Sequence, residues 1–89
     1  MSADILCEME WIAFDGYMTF LNDFGGGPDS YEIRVDIHLN NYLSLLKNVS
    51  KGEKLENELQ GVRDYLRSHQ NMCYDNIWGL FKDLTGTEV

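Results

Sequence analysis

A change of apolar period partway along the chain is the feature that most constrains its fold. Up to about residue 39, apolar and polar side chains tend to alternate; beyond Asn40 the apolar ones recur every third or fourth position. A period of two belongs to a strand with one buried face, and a period of 3.6 to an amphipathic helix. The chain therefore reads as a β part followed by an α part.

Alternation is complete in Cys7-Glu8-Met9-Glu10-Trp11. Asp15-Gly16, flanked by Phe14 and Tyr17, has the composition of a two-residue type I′ turn, whose central positions both need positive φ. A hairpin closed there sets Cys7 opposite Phe24, Trp11 opposite Phe20 and Ala13 opposite Met18 on one face. Ile12–Thr19 and Phe14–Tyr17 pair on the other, and Glu8 faces Asp23 at a like-charge cost. A competing reading makes Asp15 the cap of a helix that gathers Tyr17, Phe20, Leu21 and Phe24 and stops at Gly25. The hairpin is preferred because it accounts for both flanks of the turn. Gly25-Gly26-Gly27-Pro28-Asp29 is a second turn. After it, Tyr31, Ile33, Val35, Ile37 and Leu39 face one way and Glu32, Arg34, Asp36 and His38 the other, a third strand.

Helical spacing then takes over. Tyr42, Leu45, Leu46 and Val49 fall on one face behind an Asn40/Asn41 N-cap. Ser50 and Glu53 fit a capping box, opening a helix over about 51–69 that buries Leu55, Leu59, Val62 and Leu66 and pairs Lys54 with Glu58 on its outer side. A last helix over about 75–84 buries Ile77, Phe81 and Leu84, with Gly86 as its stop. The expected fold is α+β in a single domain, 1–89: a three-stranded antiparallel β-meander over 5–39, packed on one face by two to three helices within 41–85. Eighty-nine residues bury only roughly 60–65% of their unfolded surface, enough for one core.

Charge is the second constraint. Seven acids and no Lys or Arg lie in residues 1–33, so that third carries −7 of a net −8. A one-signed region steers encounter with an oppositely charged partner. A pI near 4.4 opposes binding to phosphate backbones, which reward Lys and Arg. The aromatics Trp11, Phe14, Tyr17, Phe20, Phe24 and Tyr31 lack the basic companions of a base-stacking platform. No stretch approaches the ~18–20 apolar residues of a membrane span, and the acidic start is unlike a signal peptide, so a cytoplasmic protein is expected. Cys7 and Cys73 could form one bridge, but in that compartment reduced core thiols are expected. The Asn48-Val49-Ser50 sequon has no consequence there.

On the expected sheet, the outward face carries the candidate partner-binding residues Glu8, Glu10, Ile12, Phe14, Asp15, Tyr17, Asp23, Asp29, Glu32 and Asp36. Carboxylates around a few apolar groups suit a basic protein surface. Chemistry is less well served. Glu8 and Glu10 share a strand face at ~6.8 Å, but no deep cleft is expected around them. His69 and Cys73, joined by Cys7 and His38, have ligand types for zinc, yet the strand pattern turns Cys7 and His38 to opposite faces. No Gly-x-Ser-x-Gly elbow or phosphate-cradling loop occurs, so no catalytic residue, metal or cofactor is assigned.

The segment Asp75-Asn76-Ile77-Trp78-Gly79-Leu80-Phe81-Lys82-Asp83-Leu84-Thr85-Gly86 resembles a Trp-bearing helix of the barstar family, acidic inhibitors of a ribonuclease. It covers about a dozen residues and transfers no residue role. The expectation is a small acidic protein that inhibits a nuclease or nucleic-acid-handling protein by covering its basic surface. Small acidic immunity proteins and phage-encoded inhibitors share this size and charge, and in a nucleic-acid mimic the carboxylates would replace phosphates. The alternative is an assembly module that self-associates through the sheet, as in a homodimer.

Overall fold

Residues expected to form three strands instead wind into two long helices. The structure is a computed structural model that describes residues 3–69 and 75–87. It contains α1 (Ala3–Asp23), α2 (Asp29–Val49), α3 (Gly52–Ser68) and α4 (Asp75–Thr85). Among the described residues 87% are helical and none is in a strand, so the β-meander and the α+β class are overturned.

The misreading has a definite physical source. Positions four apart lie on one face of a strand and also on one face of a helix. Tyr31, Val35 and Leu39 satisfy both periods. The residues that separate the two are Ile33 and Ile37, which a strand would bury with them. They stand outward, 59% and 49% exposed, whereas Val35 and Leu39 are fully buried. In α1 the inward set is Cys7, Trp11, Phe14, Met18 and Leu21, spaced by four and three alternately, and Met9 of the alternating run points out. This is the seam of a helix pair. A helix also meets its backbone hydrogen bonds locally, which a meander does only by closing two turns.

The turn signals were displaced accordingly. Asp15-Gly16 lies within α1, and Asn40 and Asn41 lie within α2 rather than capping it. The competing reading was right about the stop: Gly25, at φ 65°, ends α1, and the Gly26 N–H donates to the Leu21 carbonyl at 2.8 Å. That is a Schellman closure. Pro28 precedes the first turn of α2, where Asp29 and Glu32 suit the helix dipole. The expected capping box does not form. Lys51 holds the N-cap position of α3, and the Ser50 hydroxyl donates instead to Glu58 at 3.0 Å. With only Ser50 and Lys51 between helices, the reversal uses positive φ at Gly52 (57°). The last two helices fall close to their expected bounds, and Gly86 takes φ 75° after α4.

α1 and α2 pack antiparallel. Glu10 meets His38 and Asn41, Cys7 meets Tyr42, and Tyr17 and Phe20 meet Tyr31, so later residues of one helix touch earlier residues of the other. α3 returns alongside α1, where Tyr65 meets Trp11 edge-on, lies tilted against Phe14 and donates to Asp15 at 2.7 Å. α4 lies against α2 and meets α3 where the Arg63 guanidinium covers the Phe81 ring. One core joins all four helices, from Cys7 and Phe14 through Leu39 and Leu66 to Phe81.

The helical assignment separates two isosteric expectations. Leu39→Ala should cost about 2–5 kcal/mol as a core truncation, while Ile33→Ser should change stability by less than about 0.5 kcal/mol. Urea denaturation of the two variants measures both, and a large loss from Ile33→Ser would restore the strand.

Candidate functional site

The ten residues expected to share one acidic face are dispersed. Phe14 is wholly buried in the core. Glu10 is used inside the molecule: its carboxylate accepts from His38 Nδ1 at 2.6 Å and from Asn41 Nδ2 at 3.3 Å, tying α1 to α2. Asp15 accepts from the Tyr65 phenol and ties α1 to α3. Tyr17 is half-buried, stacked on His38, with the Arg34 guanidinium over its ring. Ile12 is 62% exposed on the side of α1 away from the core. Asp23 and Asp29 stand exposed at either side of the α1–α2 turn, and Glu32 and Asp36 are half-buried on α2. No single sheet face exists to hold them.

Of that set Glu8, Tyr17 and Asp36 each line a concave site, and Glu8 shares its site with two further carboxylates, Asp4 and Glu58. A cleft of about 240 Å³ opens where the start of α1, the end of α2 and the start of α3 converge. α1 contributes Asp4, Cys7, Glu8 and Trp11; α2 contributes Tyr42, Leu46 and Val49; and Ser50, Lys54 and Glu58 close the far side. The hollow has a cause in the sequence. Cys7 and Ser50 are small residues at buried positions where neighbouring core positions carry Leu, Met or Phe. The space they leave is walled by Trp11 and Tyr42, whose rings touch at 4.9 Å between centroids.

The cleft is electronegative. Asp4 and Glu8 are exposed on one rim, and Glu58, steadied by the Ser50 hydroxyl, stands on the other. Among the described residues none of these three carboxylates is ion-paired, and the expected Lys54–Glu58 pair does not form. Two neutral groups respond to that field. Burial pushes the Cys7 thiol up, and Glu58 and Asp4 push it further. The Tyr42 phenol is pushed up to about 12, by burial first and then by Cys7 and Glu58. Both groups stay protonated at neutral pH, and the Cys7 thiol points at the Tyr42 carbonyl at 3.8 Å.

This arrangement suits recognition of a cation with an apolar stem. Among the described residues no group of His, Cys, Asp and Glu converges as a metal site. The zinc set is not assembled there: Cys7 lies by Tyr42, His38 by Glu10, and His69 stacks on Tyr65, while Cys73 lies outside the described residues. No described helix is long and apolar enough to cross a membrane. Sequence reasoning missed Asp4, Trp11, Tyr42, Lys54 and Glu58 as site residues. The signal was present in Asp4, Glu8 and Trp11, whose spacings of four and three align them once the segment is helical.

Comparison with protein-family models, with curated proteins and with solved structures finds no match. The likeness of 75–86 to a barstar helix therefore stands on those residues alone.

The raised phenol makes a prediction with a definite sign. A folded-state pKa above the unfolded value near 10 gives stability that is complete below pH ~10 and is lost as pH rises through about 12. Ultraviolet titration should show a tyrosine that ionises only near pH 12, absent in Tyr42→Phe. The melting temperature of that variant should fall less steeply above pH ~10 than that of the parent chain.

Proposed function

We propose that this chain is a stoichiometric inhibitor that covers a basic surface on a partner protein, in keeping with a nuclease or another nucleic-acid-handling protein as the target. It binds and performs no chemistry on that partner. The observation that carries the reading is the set of un-neutralised carboxylates, Asp4, Glu8 and Glu58, around an aromatic-walled cleft in a chain of net charge −8. Electrostatic attraction accelerates encounter, and a partly apolar centre supplies the contacts that slow release. The dispersal of the other acids favours a local docking point over an extended nucleic-acid mimic, because Glu10 and Asp15 are consumed in helix-to-helix hydrogen bonds.

A second reading, self-association, has its own observation. With no sheet in the described residues, the route would be the outward side of α1, where Met9 and Ile12 are 51% and 62% exposed at adjacent helical positions. Light scattering across a concentration series distinguishes the two. A dimer dissociated by Ile12→Glu would support assembly, and a monomer at all concentrations would remove it.

The charge reading has its own test. Asp4→Lys with Glu8→Lys should weaken partner binding at least about tenfold while the melting temperature stays close to the parent value, since both side chains are exposed. Raising salt from 0.05 to about 0.5 M should weaken the parent complex and affect the reversed variant less. Affinity indifferent to both manipulations would remove carboxylate steering.

A further inference from the structure

We propose that the cleft between α1, α2 and α3 receives one arginine side chain of the partner, its stem against Trp11 and Tyr42 and its guanidinium donating to the carboxylates of Asp4, Glu8 and Glu58. This rests on the binding reading above and specifies the chemistry of the same site.

Volume is the first support. At about 240 Å³ the cleft is smaller than the roughly 300–1,000 Å³ of sites for drug-sized ligands and cofactors, and it is open on one side. A single long side chain is the occupant of that scale. Charge is the second. Three carboxylates face one ammonium, Lys54, among the lining residues, so the cavity itself carries net negative charge. The acids come from separate helices, α1 and α3, and converge around a hollow; a compact divalent ion needs its oxygens at 2.3–2.6 Å from one point, and no such group occurs among the described residues.

Arginine fits better than lysine for reasons of shape. Its guanidinium is planar, stacks on aromatic faces and offers five donors in a fixed fork, which lets one head serve carboxylates on two rims. Trp11 and Tyr42 are each half-buried, leaving ring surface within the cleft for the stem and the cation. Lysine brings a point charge, and the cleft already has one in Lys54. That residue is exposed and lines the cleft without an ion pair to its carboxylates, so it opposes an incoming cation by like charge.

That like charge yields an outcome opposite in sign to an ordinary truncation. The intact protein, labelled with nitrogen-15, is titrated with a hexa-arginine peptide, a hexa-lysine peptide and a neutral glycine-serine peptide. The Trp11 indole N–H signal should move saturably with hexa-arginine while that of Trp78, on α4, stays in place as an internal control. Hexa-lysine should need about tenfold more peptide for the same displacement, and the neutral peptide should have no effect. Lys54→Ala should tighten hexa-arginine binding several-fold, and Glu8→Gln should weaken it; both side chains are exposed, so the folded spectrum should persist.

A stationary Trp11 signal, equal response to the two cationic peptides, or weaker binding in Lys54→Ala would overturn the arginine receptor. If those results came with partner binding that still fell on Asp4 and Glu8 reversal, the basic-surface reading would stand and only its arginine chemistry would be lost. Salt-indifferent partner binding together with a saturable Trp11 response would divide them the other way.

Discussion

Burial of one stripe of α1 against one stripe of α2 is the contact from which the remaining structure follows. Phe14, Met18 and Leu21 on the first helix and Val35, Leu39, Leu43 and Leu46 on the second are all essentially removed from water. Neither helix could hide that surface alone, and at roughly 25 cal/mol per Å² its burial is the dominant favourable term available to a chain this short. The antiparallel register also determines which polar groups can meet. It brings Glu10 to His38 and Asn41, and it leaves the ends of the pair to be closed by α3 and α4.

The candidate site is a consequence of that register rather than a separate device. α1 begins beside the end of α2, and the two-residue link to α3 folds the third helix back over the same corner. Small residues at Cys7 and Ser50 keep the corner from filling. What the packing leaves open, the charge of the first helix makes electronegative. Shape and potential thus have different origins, one in the volume of core side chains and the other in the absence of Lys and Arg from the N-terminal third, and they coincide at the corner where α1, α2 and α3 meet.

How far this was legible from the residues differs along the chain. The helices beyond residue 51 were readable because Leu55, Leu59, Val62 and Leu66 follow helical spacing with no strand-compatible rival, and glycine marks the end of α4. The first half was not, since Tyr31, Val35 and Leu39 obey both periods and the intervening isoleucines imitate a strand. Exposed Ile33 and Ile37, like Met9 and Ile12, are apolar residues outside the core, and a rule that places apolar groups inside gives the wrong face to each. Of the expected site residues, Glu8 reached the cleft because α1 begins there; Phe14 was lost from the surface because its position belongs to the seam.

Residue order alone determined the acidic charge, its confinement to the N-terminal third, the two C-terminal helices and the glycine stops, because each depends on composition or on contacts a few residues apart. Tertiary packing decided the secondary structure of residues 5–39, the face that each of their side chains occupies and the carboxylates that stay unengaged. Those outcomes turn on which partner surface a segment finds, and a pattern compatible with two periods is resolved only when one of them can bury its apolar stripe.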